Sequence, residues 1–302
     1  MKIKPNSPLK VKLSYAPDEH LISAWIRHNF RCGFAHFPFG TCLNYWGLPL
    51  QHIKAQRVSG SVINKIINST SDGEHEKRTV LLNRTNLSLW QLSHDDISDS
   101  KELDKLMPRA NIENSEFQFK TTWHICSECV KEDKKNLGYS FWHSSHQLAS
   151  VTHCLKHHQP LKTHELLNKI DKLALPHSYL DLNLDEYQNC EDLVKWSEFV
   201  IKVNSSLISG KITPEQVKVE IQNHLKLPNL AKQKYKEKYQ KMTDSMFSAI
   251  GDKLTNHLFK KVDGKNRNVI WRLFSGRGKQ KHIISPIYWL VVMYWLKDEL
   301  NI

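Results

Sequence analysis

Apolar residues fall on helical stripes in both halves of the chain, and start and stop signals bound the stripes. Near the N-terminus, Leu21, Ile22, Trp25, Ile26 and Phe30 recur at helical spacing, which predicts one buried face. Pro17-Asp18-Glu19 reads as the start of that helix, with the acids in its first turn facing the positive end of the dipole. Gly33, Pro38 and Gly40 mark loops. Cys42 to Trp46 predicts a short helix ended by Gly47-Leu48-Pro49, and Ser61 to Asn68 predicts another. Short helices joined by tight turns fit a helix-turn-helix-like module. Residues 69–79 (STSDGEHEKRT) read as a polar loop, and Asp95 to Asp104 as an acidic, exposed connection.

The C-terminal half carries the same period. Leu193, Trp196, Phe199, Val200 and Val203 form a stripe within Cys190 to Ile208. Thr213-Pro214-Glu215-Gln216 combines an N-cap threonine, a proline at the first helical position and a carboxylate in the first turn. Val217, Ile221 and Leu225 supply the buried face behind it. A lysine-rich helix is predicted from Lys232 through Lys241, continuing as MFSAIGDKLTNHLF. Asn268 to Phe274 follows, then the loop SGRGKQKH and a final apolar helix from Pro286. The fold class is mainly α, in three parts: an N-terminal helix-turn-helix-like module (1–120), a central zinc-ribbon region (121–167) and a C-terminal helical, basic, helix-turn-helix-like domain (168–302).

Charge sharpens this division. Residues 226–281 hold 15 basic and 4 acidic side chains, so that stretch alone carries +11 of the net +12. A concentrated basic block predicts a polyanionic partner, because phosphate contacts release condensed counterions. The candidate nucleic-acid contacts are Lys232, Lys234, Lys236, Lys238, Arg267, Arg272, Arg277, Lys279 and Lys281. A solvated lysine face is the plainer alternative. No membrane association is expected: the longest apolar stretch, Ile283 to Leu296, is broken by Ser285 and Pro286 and is too short to span a bilayer. With no apolar leader after the basic residues 1–12, the expected location is the cytoplasm, in association with the nucleoid.

The most specific chemistry lies in the middle. Cys126 and Cys129 read C-x2-C, and after 24 residues Cys154 and His157 read C-x2-H. Paired soft ligands of this kind close a tetrahedral zinc site with no open position, which makes the metal structural. His158 adjoins His157, and either could be the fourth ligand; the spacing of the first pair favours His157. His124, His143, His146 and His153 are expected around the site rather than on the metal, and Cys32, His36 and Cys42 are spaced too irregularly to form a second one. Enzymatic signatures are missing: there is no G-x4-G-K-[ST], H-E-x-x-H or G-x-S-x-G.

Three stretches resemble the TniQ/TnsD family of transposon target-selection proteins. PDEHLISAWIRH is similar to the family's opening P-x-D-E-S-L-x-S-W-L-x-R. CSECVKED…GYSFWHSSHQLASVTHCLKHHQPL is similar to its C-P-x-C…W-x4-Q-L-x2-V-x2-C-x2-H-x2-P-L. That match makes Cys126, Cys129, Cys154 and His157 the zinc ligands, with Trp142, Gln147, Leu148, Val151, Pro160 and Leu161 on the other fixed positions. Ser127 stands where the family usually has proline, and His158 where glycine is common. The third stretch, WRLFSGRGKQKHIISPIYWLVVMYWL, resembles the C-terminal region of TnsD-like members. The resemblance implies a non-enzymatic adaptor that engages a TnsC-type AAA+ ATPase. One branch rides, often as a homodimer, on a Cascade of Cas proteins holding a crRNA; the other reads target DNA itself. The chain is short for a DNA-reading TnsD, which favours the RNA-guided branch, while the basic block suits the other. A zinc-containing helix-turn-helix transcription factor is the competing reading.

Overall fold

The computed structural model describes residues 11–48, 53–54, 60–93, 117–120, 122–170, 172–227, 235–261, 268–274 and 285–300. They pack as two compact units. The first holds the described residues before Leu89 and those from Thr122 to Asn189. The second holds Leu89–Ser93, Phe117–Lys120 and the described residues from Cys190 onward. Helices dominate both, and every strand among the described residues is two residues long. No helix among them is long and apolar enough to cross a membrane.

In the first unit, α1 (Leu21–Arg31) buries Leu21, Ile22, Trp25 and Ile26 as its periodicity predicts. Phe30 does not join them; it is 39% exposed. The helix also starts later than the acids suggest. His20 is its N-cap, the imidazole Nδ1 accepting from Ile22 N at 3.2 Å, and no acidic residue lies in the first turn. Asp18 sits at φ +59, outside the helix, where both acids serve longer-range contacts.

Gly33, at φ +80, ends this helix in the left-handed region that glycine reaches without strain. A 3-10 turn (Phe34–His36) leads to α2 (Phe39–Tyr45), and Cys42 is buried beneath Asn29. Next come α3 (Gly60–Thr70) and α4 (Gly73–Asn83). The stretch read as a polar loop at 69–79 is therefore largely helical. Its polar residues are start signals: Asp72 N is held by Glu76 Oε2 at 2.6 Å, and Lys77 pairs with Glu74 at 2.9 Å. The apolar contribution comes only in the last turns, from buried Val80, Leu81 and Leu82.

The rest of the first unit contains α5 (Ser127–Leu137) and three antiparallel pairs of short strands. β1 (Ile53–Lys54) pairs with β5 (Lys169–Ile170), β2 (His153–Cys154) with β3 (Gln159–Pro160), and β4 (Lys162–Thr163) with β6 (Asp185–Glu186). Trp123, Trp142, Leu148, Val151 and Leu161 are buried among them. Trp123 and Trp142 lie 5.1 Å apart, ring centre to ring centre.

The second unit is helical. α6 (Glu191–Ile208) begins after Cys190 and buries its predicted stripe. α7 (Pro214–His224) carries the full reciprocal cap: Thr213 Oγ1 accepts from Gln216 N at 3.2 Å, and Gln216 Oε1 accepts from Thr213 N at 3.0 Å. The lysine-rich segment splits into α8 (Lys236–Ile250) and α9 (Asp252–Leu258), because Gly251 breaks it at φ 84, ψ 155. In α10 (Val269–Phe274) the Asn268 carboxamide accepts from Trp271 N at 2.9 Å. The final helix, α11 (Pro286–Trp295), is buried from Pro286 to Tyr294 and packs against α6, α7, α8 and α10. A helix apolar on every side is what a central position requires.

Candidate metal centre

Local geometry brings the first two cysteines together. Cys126 caps α5 and Cys129 lies in its first turn, so the C-x2-C spacing directs both thiols to one side of a helix end. Ser127 occupies the first helical position, where proline is well tolerated. The second pair comes from the β2–β3 hairpin: Cys154 sits opposite Gln159 in the ladder, and His157 is in the connecting loop. His158 adopts φ +50, which explains why glycine would suit this position. That left-handed residue lies at the exposed end of the loop, while His157 points inward.

The four groups converge. His157 Nδ1 lies 3.4 Å from Cys126 Sγ, 3.3 Å from Cys129 Sγ and 3.7 Å from Cys154 Sγ, and the Cys129 and Cys154 sulfurs are 3.6 Å apart. Around a tetrahedral zinc, sulfur–sulfur edges are about 3.8 Å and sulfur–nitrogen edges about 3.6 Å, from its ordinary bond lengths. The arrangement can hold a metal ion, with three buried sulfurs and one half-buried nitrogen.

The electrostatics point the same way. Cys126 accepts hydrogen bonds from Cys129 and Cys154, which holds its pKa far below the usual thiol range. The same hydrogen bond to Cys126 pushes Cys129 far up, and Cys154 is raised too. A dication among the three sulfurs would favour the ionised form of each. His157 Nε2 lies 3.0 Å from Glu132 Oε1, and Lys156 pairs with the same carboxylate. Burial opposes charge on His157, but Glu132 and Cys126 outweigh it and raise the pKa. A carboxylate behind the imidazole fixes the ring's orientation for a metal at Nδ1.

Cys129, His143 and His146 form a second group whose ligand atoms lie within 4.8 Å of one another, but it shares the Cys129 thiol with the first. His146 Nε2 is 4.0 Å from Cys129 Sγ, and burial pushes its pKa down to about 3. His143 lies between two carboxylates, with Nδ1 3.3 Å from Asp18 and Nε2 3.1 Å from Asp133. Burial works against its charge, yet hydrogen bonds to Asp133 and Asp18 raise its pKa to about 9. A protonated ring offers no lone pair to a metal.

This His143 clamp joins the segment before α1 to α5. Asp18 also accepts from Ser145 N at 3.0 Å and from the Ser145 hydroxyl at 2.5 Å, while its carbonyl accepts from Ser144 N at 2.7 Å. His20 N donates to Trp142 O at 2.8 Å, and Ser23 Oγ accepts from Trp142 N at 3.0 Å. Glu19 turns the other way, into a buried pair with Arg27. Gln147 acts as a backbone mimic: its Oε1 accepts from His124 N at 3.0 Å, and its Nε2 donates to His124 O at 3.0 Å and His143 O at 3.2 Å. Sequence reasoning missed Glu132, Asp133 and the roles of Asp18 and Glu19. Only the PDEH stretch carried a signal, and its acids were read as local.

Of the nine basic residues expected to meet nucleic acid, the described chain includes three. Lys236 and Lys238 are exposed on α8. Arg272 is half-buried, its Nη1 donating to Tyr288 Oη at 3.0 Å and its guanidinium 5.3 Å from the ring centre. Lys232, Lys234, Arg267, Arg277, Lys279 and Lys281 lie outside the described residues.

Comparison with curated proteins returned no match. The TniQ family model matches residues 11–161, half of the chain, from just before the Asp18 clamp through the hairpin that presents Cys154 and His157. On that match the chain belongs to the TniQ family, a family of non-enzymatic adaptors that act with the transposition machinery in target-site selection.

Proposed function

We propose that this protein is a zinc-stabilised, non-catalytic adaptor that links a target-recognition complex to a TnsC-type AAA+ ATPase during DNA transposition. The closed Cys3His cluster within the family-matched segment carries this reading, since four converging protein ligands leave a metal no position for substrate. Cys126, Cys129, Cys154 and His157 would hold Zn2+, with Glu132 orienting His157. The metal would fix the helix α5 to the hairpin that follows. The chain's own residues do the rest: the Asp18–His143–Asp133 clamp and the His20–Trp142 contact hold α1 against the metal region.

The recognition complex we favour is an RNA-guided Cascade, engaged by one or two copies of the chain. A specific observation supports the second reading, direct DNA recognition by the helix-turn-helix-like parts: the +11 charge of residues 226–281, with Lys236 and Lys238 exposed. Affinity purification of the tagged protein from its host, analysed for protein and RNA, separates these. Cas proteins with a crRNA support the Cascade adaptor. The ATPase without guide RNA supports a DNA-reading selector, which should then lose affinity and salt dependence when Lys236 and Lys238 become glutamine. Recovery of neither overturns the adaptor reading and leaves a DNA-binding regulator.

A further inference from the structure

The turn after α1 presents an aromatic surface that neither the metal centre nor the basic block uses. Phe30, Phe37 and Tyr45 are 39%, 58% and 52% exposed. Phe37 and Tyr45 gather around one ring: Phe34 lies 5.0 Å from Tyr45 and 6.0 Å from Phe37, centre to centre, and Phe30 precedes the same turn. The backbone beneath is fixed by Gly33 N donating to Phe30 O and Phe37 N to Phe34 O, both at 3.0 Å, and Pro38 follows. Such a surface is already ordered before anything binds, which lowers the entropic cost of binding.

Its surroundings select the partner. There is no aspartate or glutamate from His20 to Ser71, and no lysine between Lys12 and Lys54. Of the two arginines near the patch, Arg27 is buried against Glu19 and Arg31 is exposed. Exposed aromatics with an arginine, and without acids, form the usual centre of a protein–protein interface. A single-stranded nucleic acid needs a row of cations along its backbone and open ring faces for its bases. Among the described residues only Arg31 and Lys65, whose Nζ donates to Gly47 O, offer cations beside the patch, too few for such a row, and the rings tilt by 49° and 57° onto one another. A second copy docking the same face through a twofold axis would bring Arg31 no acid from residues 20–71 to pair with.

We infer that the Phe30–Phe37–Tyr45 face, with Arg31 at its rim, docks a protein segment that is apolar on one side and acidic beside it. This rests on the adaptor reading and names the surface through which one partner is held.

The test uses the full chain in its host, with a photoreactive benzoylphenylalanine in place of Phe37. The expected result is a cross-link to a mapped peptide of one other protein that carries apolar residues and at least one carboxylate. With that partner purified, Arg31→Glu should weaken binding at least tenfold, and changing the facing carboxylate to lysine should restore most of it. The double variant Phe37→Ser/Tyr45→Ser, which replaces two exposed rings and no buried one, should weaken binding by a hundredfold or more. Cross-links to DNA or RNA, to a second copy of this chain, or to nothing would overturn the inference, as would Phe37→Ser/Tyr45→Ser binding within twofold of wild type. Deleting the gene separates this from the adaptor reading. Loss of targeted insertion alongside a silent cross-linker removes only the surface, whereas unchanged targeting removes the adaptor role and the surface assignment with it.

Discussion

Removing Arg27 alone should cost more than removing both members of its ion pair. Its Nε donates to Glu19 Oε1 at 3.2 Å and its Nη2 to Oε2 at 2.8 Å, with a further bond to Ser14 O. The side chains are 7% and 0% exposed, so solvent screens the pair little. In Arg27→Met the carboxylate keeps one backbone donor, Ala16 N at 2.9 Å, and loses the counter-charge that Arg27 supplies in the core. Stranding one charge of a buried pair costs about 3–5 kcal/mol. In Glu19→Gln/Arg27→Met no charge is buried, and more than half of that loss should return. Hydrogen exchange of the α1 amides reads the opening of this unit without mixing in the second one. A single-variant cost below about 1 kcal/mol, or a double variant as unstable as the sum of both singles, would refute the reasoning.

Three other outcomes are expected. If the proposed zinc fills the cluster, Cys129→Ser should take it from one equivalent per chain to none and destabilise the first unit by several kcal/mol, because metal binding and folding are coupled in such sites; retained zinc by elemental analysis with an unchanged melt contradicts the site. The His143 clamp should be pH-dependent. Its folded pKa of about 9 is raised, so its stabilisation is complete below the unfolded value near ~6.5 and is lost as pH rises through about 9. Burial raises the pKa of Asp18, but bonds from His143 and Ser145 outweigh this and lower it, so its share is lost only in acid, below about 4. The melting difference between wild type and His143→Gln should therefore be widest near pH 5–6 and close above pH 9.5, and a constant gap would contradict the clamp. Gly251→Ala should cost about 1–3 kcal/mol from backbone strain alone, since φ 84, ψ 155 is open to glycine and a Cβ there meets nothing within 4 Å; denaturant unfolding that matches wild type would show that the bend between α8 and α9 relaxes.

What the sequence by itself determined is what short-range physics encodes. The Leu21–Ile26 stripe, the Thr213 N-cap with Pro214 behind it and the paired ligand spacing each depend on neighbours within one turn, and the structure reproduces the first two. The 73–83 helix was misread because its start is written in polar residues and its apolar face is short. Gly251 was passed over because an interior glycine marks a break only when its φ is positive. Other features needed the tertiary structure. Asp18 and Glu19 look like first-turn acids until His143, more than a hundred residues away, and Arg27 claim them. Spacing favours His157 over His158 without excluding the second; the φ of +50 at His158 and the convergence of three sulfurs on His157 are tertiary facts that point the same way. Phe30 continues its stripe in sequence, yet the helix ends at Arg31 and Gly33 turns the chain away, leaving the ring at the surface. Periodicity reports which residues share a face, and only the packing of distant segments decides whether that face is covered.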